Sequence, residues 1–244
     1  MLTRLAAVAA ALVLVPCLAA CGGSSSSTVA EDPAASTPSD TTPPDTTPSD
    51  KGSSSAASCD YPRDAQGAAR KVDPPPATPA VSGKVPATIA TTVGTLDATL
   101  DADQAPCTVN SFVSLAEQGY FDNTSCHRLT TAQTQIYVLQ CGDPTGTGTG
   151  GPGYTIPDEL TGTETYLPGT LAMAKTTAPD SGGSQFFIVY RATPLPPEYT
   201  VFGQVSPAGV KAVGKVAAKG TDNAFGAGDG HPQEKVTITE VTTG

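Results

Sequence analysis

Between residues 86 and 106 the chain reads PATIATTVGTLDATLDADQAP, apolar and polar positions alternating on either side of Val93-Gly94. That period of two predicts a hairpin with one buried face. The period then changes in TVNSFVSLAEQG, where Val109, Phe112, Val113 and Ala116 fall on one side of a helix. Thr108 can cap its start and Gly119 its end. Short apolar runs at 126–129, 136–141, 169–174, 185–190 and 199–205 read as strands. A second helix is predicted from Ser206, with Pro207 in its first turn, Val210, Val213 and Ala217 on one face and Gly220 as its stop. KVTITEV supplies a closing strand. Many short strands with only two helices predict a mainly β domain built as a closed antiparallel barrel, because closure removes exposed edges.

The N-terminal part has neither period. Arg4 precedes a short run of alanine, valine and leucine, the pattern of a secretion signal removed on maturation. Its end, Leu18-Ala19-Ala20-Cys21, resembles a bacterial lipobox, so residues 1–20 are expected to leave and the Cys21 thiol to carry lipid. The apolar run is short for a membrane span. Several acyl chains on one cysteine would anchor the protein to the outer face of the cell membrane, an extracytoplasmic location. Residues 21–58 are Ser-, Thr- and Pro-rich and offer nothing to bury, so they are read as a disordered tether. A Pro-rich segment, 59–85, leads into a domain placed at 86–244.

Thirteen basic against 23 acidic residues give a net charge of −10, which argues against a nucleic-acid partner. With Cys17 in the leader and Cys21 lipidated, Cys59, Cys107, Cys126 and Cys141 remain. An even number outside the cytoplasm suggests two disulfides, with three pairings open. Cys126 with Cys141 is favoured because both lie on segments expected to pair as strands, leaving Cys59 to pin the segment before the domain to Cys107. A zinc site competes poorly, since there is no C-x-x-C and the two histidines are far apart. The GTGTGG stretch lacks the Lys-Ser/Thr ending of a phosphate loop. Ser181 and Ser184 do not sit in G-x-S-x-G. Of Phe186 and Phe187, strand alternation sends one inward and one outward.

The motifs NSFVSLAxxGYF around Phe112, CHR at Arg128, QCGDPTGTGTGGPGY from Gln140, GTLAMA at Met173, GSQFFI at Phe187 and YTVFG at Phe202 resemble the cyclophilins, the cyclosporin-binding class of peptidyl-prolyl cis-trans isomerases. The resemblance covers roughly 87–241; the secretion signal, tether and paired cysteines resemble an extracytoplasmic lipoprotein branch. It implies an eight-stranded barrel capped by two helices, with an active groove on its outside. It implies that Arg128 is the catalytic arginine, that Gln140 orients the substrate backbone and that Tyr137 stands where a Phe is usual. Phe187, Leu195 and Val138 would line a proline pocket. Ala174 and Lys175 would offer backbone groups, Lys175 in place of a usual Asn, with His127, Thr149 and Tyr199 completing the binding set. Between Arg128 and Gln140 the chain is longer than the family's usual connection. Leu195 in place of an indole implies only weak cyclosporin binding. No cofactor or metal is implied. The expected partners are proline-containing unfolded or nascent exported polypeptides, met by a monomer.

Rotation about a peptide bond is opposed by about 18–20 kcal/mol, and unaided X-Pro rotation takes roughly tens to hundreds of seconds. At the twisted midpoint the proline nitrogen gains a lone pair, so a permanently protonated fork of N–H donors such as Arg128 favours the transition state selectively. His127 is read as a structural neighbour, since the reaction transfers no proton. The alternative function is a non-catalytic peptide-binding, scaffold or chaperone module, kept open by Tyr137, Lys175 and Tyr199.

Overall fold

The computed structural model describes residues 57–244; the leader, Cys21 and the tether up to residue 56 lie outside the described residues. In chain order the elements are β1 (Arg63–Ala68), β2 (Lys84–Thr91), β3 (Gly94–Asp101), α1 (Pro106–Glu117), β4 (Thr124–Ser125), β5 (Arg128–Thr130), β6 (Val138–Cys141), β7 (Pro152–Tyr154), β8 (Thr170–Met173), β9 (Phe186–Val189), β10 (Val201–Val205), α2 (Pro207–Ala218), β11 (Asp229–Gly230) and β12 (Thr237–Thr243).

The alternating segment forms the expected hairpin. Thr91 pairs with Gly94 across a two-residue turn, and Ile89 with Leu96 further along. Val85, Ala87, Ile89, Leu96, Ala98 and Leu100 are buried while their neighbours face outward. Among the described residues ten strands stand in one antiparallel ladder, in the order β11-β5-β6-β9-β8-β10-β3-β2-β12-β4. The last strand, β4, and the second, β5, are separated by only two residues of chain, so the sheet has to curl into a half-barrel. Cys126 N–H extends the β4 edge by donating to Val236 C=O at 2.9 Å. β1 and β7 make a separate two-stranded ribbon.

Both helices form, with one change of cap. α2 starts as expected: the Ser206 side chain accepts from Gly209 N–H at 3.3 Å with Pro207 behind it, and Gly220, at φ +85°, ends it. α1 begins two residues before Thr108. Its free N–H groups at Cys107 and Thr108 both donate to the Glu159 carboxylate at 2.8 Å, so the cap comes from a distant loop. A carboxylate there also meets the positive end of the helix dipole.

Inside the curl, Phe112 of α1 packs on Phe121, Phe186 and Phe202 with ring centroids 5.0–5.5 Å apart. All four rings are essentially inaccessible. Cys59 is bonded to Cys107 and Cys126 to Cys141, the pairing favoured from the strand arrangement. The segment before the domain is docked at more than the disulfide. Arg70 Nη1 donates to the carbonyls of Gly119, Tyr120 and Asp122 at 2.8–3.0 Å, and β1 lies along β7.

Candidate functional site

The central strands β5, β6, β9 and β8 carry different residues on their two faces. Pairing sets Arg128 opposite Gln140, Gln140 opposite Phe187, and Phe187 opposite Ala172. Phe186 points into the core, while Phe187 joins a second apolar cluster with Val138, Tyr166, Ala172 and Val189. Ile136, Ala174, Leu195, Tyr199 and Val201 pack around that cluster, only partly buried. Five residues expected at a proline pocket or along its peptide groove, Val138, Ala174, Phe187, Leu195 and Tyr199, thus lie in one patch. Tyr166 was not anticipated. Its hydroxyl donates to Tyr199 C=O at 3.1 Å and accepts from Tyr199 N–H at 2.9 Å, fixing the Tyr199 ring edge-on to Phe187 at 5.4 Å.

Tyr137 is elsewhere. Period two puts Ile136 and Val138 on the patch and turns Tyr137 to the opposite side, edge-on to Tyr190 at 5.9 Å and beneath the Arg191 guanidinium at 4.7 Å. Tyr137, which the resemblance implied at the catalytic site, is therefore not part of this patch, and Ile136 occupies its rim.

Arg128 is oriented from behind by Asp229. The carboxylate accepts from Nε at 2.8 Å and Nη2 at 2.7 Å, a bidentate pair whose members are 101 residues apart. Fork-to-fork geometry of this kind fixes direction as well as charge. It leaves Nη1 with one contact, a long 3.5 Å bond to Gln140 Oε1. The hydrogen bonds it donates to Asp229 hold the guanidinium's pKa above its ordinary value against the opposing effect of burial, and the nearby Tyr199 phenol acts in the same direction as Asp229. Arg128 therefore stays a cation with a free donor.

Gln140 continues the chain: its Nε2 donates to Gln185 Oε1 at 2.9 Å, and Gln185 Nε2 donates to the carbonyls of Gly148 and Gly150, both at 3.0 Å. Gln185 lies within the GSQFF motif, next to Phe186 and Phe187, yet was not singled out. The loop it grips is organised by its own anion. Asp143, fully buried, accepts from the N–H groups of Thr145, Thr147, Gly148 and Gly150 at 2.7–3.1 Å and from the Thr145 hydroxyl. Burial alone would raise its pKa, but these donors hold it below the usual carboxylate range. A Cβ at Gly150 would lie 2.1 Å from Asp143 Oδ1, which explains glycine there. These loop amides serve Asp143, so the glycine-threonine run is no phosphate cradle.

His127 is buried beneath Gly148, and neither ring nitrogen has a hydrogen-bond partner among the described residues. Burial lowers its pKa, opposed by the Asp143 carboxylate. It packs under the glycine-threonine loop. Thr149 is on the same loop, its hydroxyl 2.8 Å from that of Thr147. Ala174 N–H is already donated to Gln185 C=O at 2.9 Å, so only its carbonyl is left for a peptide. Lys175 bonds Asp158 at 2.5 Å, with both side chains largely buried.

Residues 87–243, which hold both helices and the arginine-amide-aromatic patch, match the family model described as cyclophilin type peptidyl-prolyl cis-trans isomerase/CLD. The chain belongs to this family. It is similar to the probable peptidyl-prolyl cis-trans isomerase B of Mycobacterium leprae (strain TN), 46% identical over 196 residues, which is 74% of this chain and 65% of that protein. The corresponding protein of Mycobacterium tuberculosis (strain ATCC 25618 / H37Rv) is 44% identical over 199 residues, 76% of this chain and 63% of the relative. The chain thus spans slightly less than two thirds of these curated relatives. A crystal structure of a Cryptosporidium parvum cyclophilin type peptidyl-prolyl cis-trans isomerase superposes with TM-score 0.57 at 29% identity, covering 66% of this chain and 98% of that one. Another crystal structure of that isomerase, in the presence of the dipeptide Ala-Pro, gives TM-score 0.56 at 29% identity, covering 65% and 98%.

Proposed function

We propose that the protein is a peptidyl-prolyl cis-trans isomerase that accelerates X-Pro rotation in exported polypeptides without covalent chemistry. The observation that carries this reading is Arg128, clamped by Asp229 and bonded through Nη1 to Gln140, whose strand position pairs with Phe187 of the apolar patch. A proline ring on Val138, Phe187 and Leu195 loses water on its apolar face, while Gln140 holds the backbone beside it. As the imide twists, its nitrogen becomes pyramidal and Arg128 donates to the new lone pair, an interaction stronger in the transition state than in the ground state. Such a charged hydrogen bond contributes about 1.5–3 kcal/mol, or roughly ten- to hundredfold in rate, so the patch and Gln140 supply the remainder.

The lipobox-like Leu18-Ala19-Ala20-Cys21 and the tether after it support an enzyme lipid-anchored to the outer face of the membrane, where exported chains emerge unfolded. Closure of the curled sheet as an eight-stranded barrel belongs to the same reading. The Ala-Pro dipeptide of the Cryptosporidium structure sets the first test. Catalysed cis-trans exchange of an Ala-Pro peptide is measured with the protein and with Arg128→Ala. Strong acceleration that the variant loses supports the reading. Normal turnover by the variant sinks the mechanism, and binding without acceleration sinks the catalytic function in favour of a peptide-holding module.

A further inference from the structure

A cavity of about 290 Å³ opens beside Gln140, between the 148–152 loop and the 174–185 connection. Gln140 and Gln185 form the wall it shares with the site; Lys175 and Thr149 border it as well. Its remaining wall is β1, which contributes Asp64 and Gln66 and lies N-terminal to the residues that the family model matches. That wall is held firmly. β1 pairs with β7 so closely that a Cβ at Gly153 would lie 2.8 Å from Ala68 N, and the Cys59–Cys107 bond and Arg70 fasten the chain on either side.

The lining mixes apolar surface with hydroxyls, amides and glycine backbone. Its two charges are not equivalent. Lys175 is neutralised by Asp158, which stands outside the cavity. Asp64 has no cationic partner among the described residues, and its one hydrogen bond is Oδ1 accepting from Gln66 N–H at 2.9 Å. The cavity therefore offers a carboxylate with spare acceptor capacity at a distance from the apolar patch set by Gln140, which borders both.

We propose that Asp64, on the wall that β1 adds to this cavity, makes the site select a lysine or arginine side chain flanking the proline. The inference rests on the isomerase reading of the neighbouring site. The basic residue hydrogen-bonds Asp64 with its charged head, while its stem runs past Gln185 and the loop. Because a half-exposed ion pair is screened by solvent, the preference is modest, roughly two- to fivefold, and fades in high salt.

The test uses alanine-based proline peptides carrying Lys, Gln or Glu at each of the three positions before and after the proline. Exchange rates are expressed relative to the all-alanine peptide for each protein variant, and binding is measured in parallel by calorimetry. The expected result is a Lys-over-Glu preference at one position, lost in Asp64→Asn, reversed in Asp64→Lys and collapsed by 0.5 M salt, a concentration on the order of which exposed charges are strongly screened. Equal rates for Lys and Glu at every position, or a preference that Asp64→Asn leaves intact, would overturn this selection by Asp64. If no peptide's exchange is accelerated, the isomerase reading fails, and the calorimetric Lys/Glu ratio alone then decides the selection.

Discussion

The two faces of the central sheet use the same strands for opposite ends. On the inner face Leu139, Phe186 and Ile188, each at most 1% exposed, join the large core cluster. On the outer face Val138, Phe187 and Val189 form a small cluster ringed by partly exposed Ile136, Leu195 and Tyr199. The inner face is finished within the chain. The outer one is left with an open rim, and that difference separates a residue that holds the fold from one that can hold a ligand.

The sharpest way to break the comparison is to truncate one ring on each side. Phe112→Ala is expected to cost about 3–5 kcal/mol of stability in urea unfolding, whereas Phe187→Ala falls at or below the bottom of that range and lowers exchange activity at least tenfold. If Phe187→Ala destabilised as much as Phe112→Ala and left activity intact, the outer cluster would be a second core.

The disulfides give the next contrast. They close loops of 48 and 15 residues, which on a chain-entropy estimate contribute about 4 and 3 kcal/mol. Replacing Cys59 and Cys107 by Ser should lower stability without changing the intrinsic rate at Arg128. Replacing Cys126 and Cys141 should reduce both, because these residues adjoin the Arg128 and Gln140 strands.

Smaller effects sharpen the site itself. Arg128→Ala should lose roughly ten- to hundredfold in kcat/KM, and Asp229→Asn a smaller factor concentrated in kcat, since the donor survives but its aim relaxes. The two losses should not add in the double variant, because one acts through the other.

The smallest effect concerns His127. Burial holds its pKa below the ordinary histidine value of about 6.5, so it is neutral in the folded protein near pH 7. The unfolded chain binds a proton first as pH falls. The associated stability is therefore full above about pH 6.5 and is lost as pH drops toward the depressed folded value, with a slope below about 1.4 kcal/mol per pH unit. His127→Gln should flatten that part of the pH-stability profile, as read by thermal unfolding at several pH values.

Much of this was legible in local pattern. Alternation located the β2–β3 hairpin and predicted that Phe186 and Phe187 would part; Ser206, Pro207 and Gly220 marked α2. The same rule, applied backwards from Val138, places Tyr137 away from the patch, where the resemblance had put it in. Other features had no local signal. Asp229 meets Arg128 across 101 residues, and Glu159 caps α1 from a loop 51 residues beyond Thr108. β1 is a strand of RDAQGA, mostly exposed and without alternation, held by pairing rather than by burial.

Asp158 and Glu159 are neighbours in sequence with separate attachments: Asp158 fastens Lys175 at the groove, and Glu159 fastens the start of α1. Surface connections usually tolerate gain or loss of residues. This one is a spacer of fixed length, since a single insertion between the two acids would shift one attachment out of reach of the other. Its surroundings are free to change their letters but not their count, which makes the loop a poor place to splice in a tag or another domain.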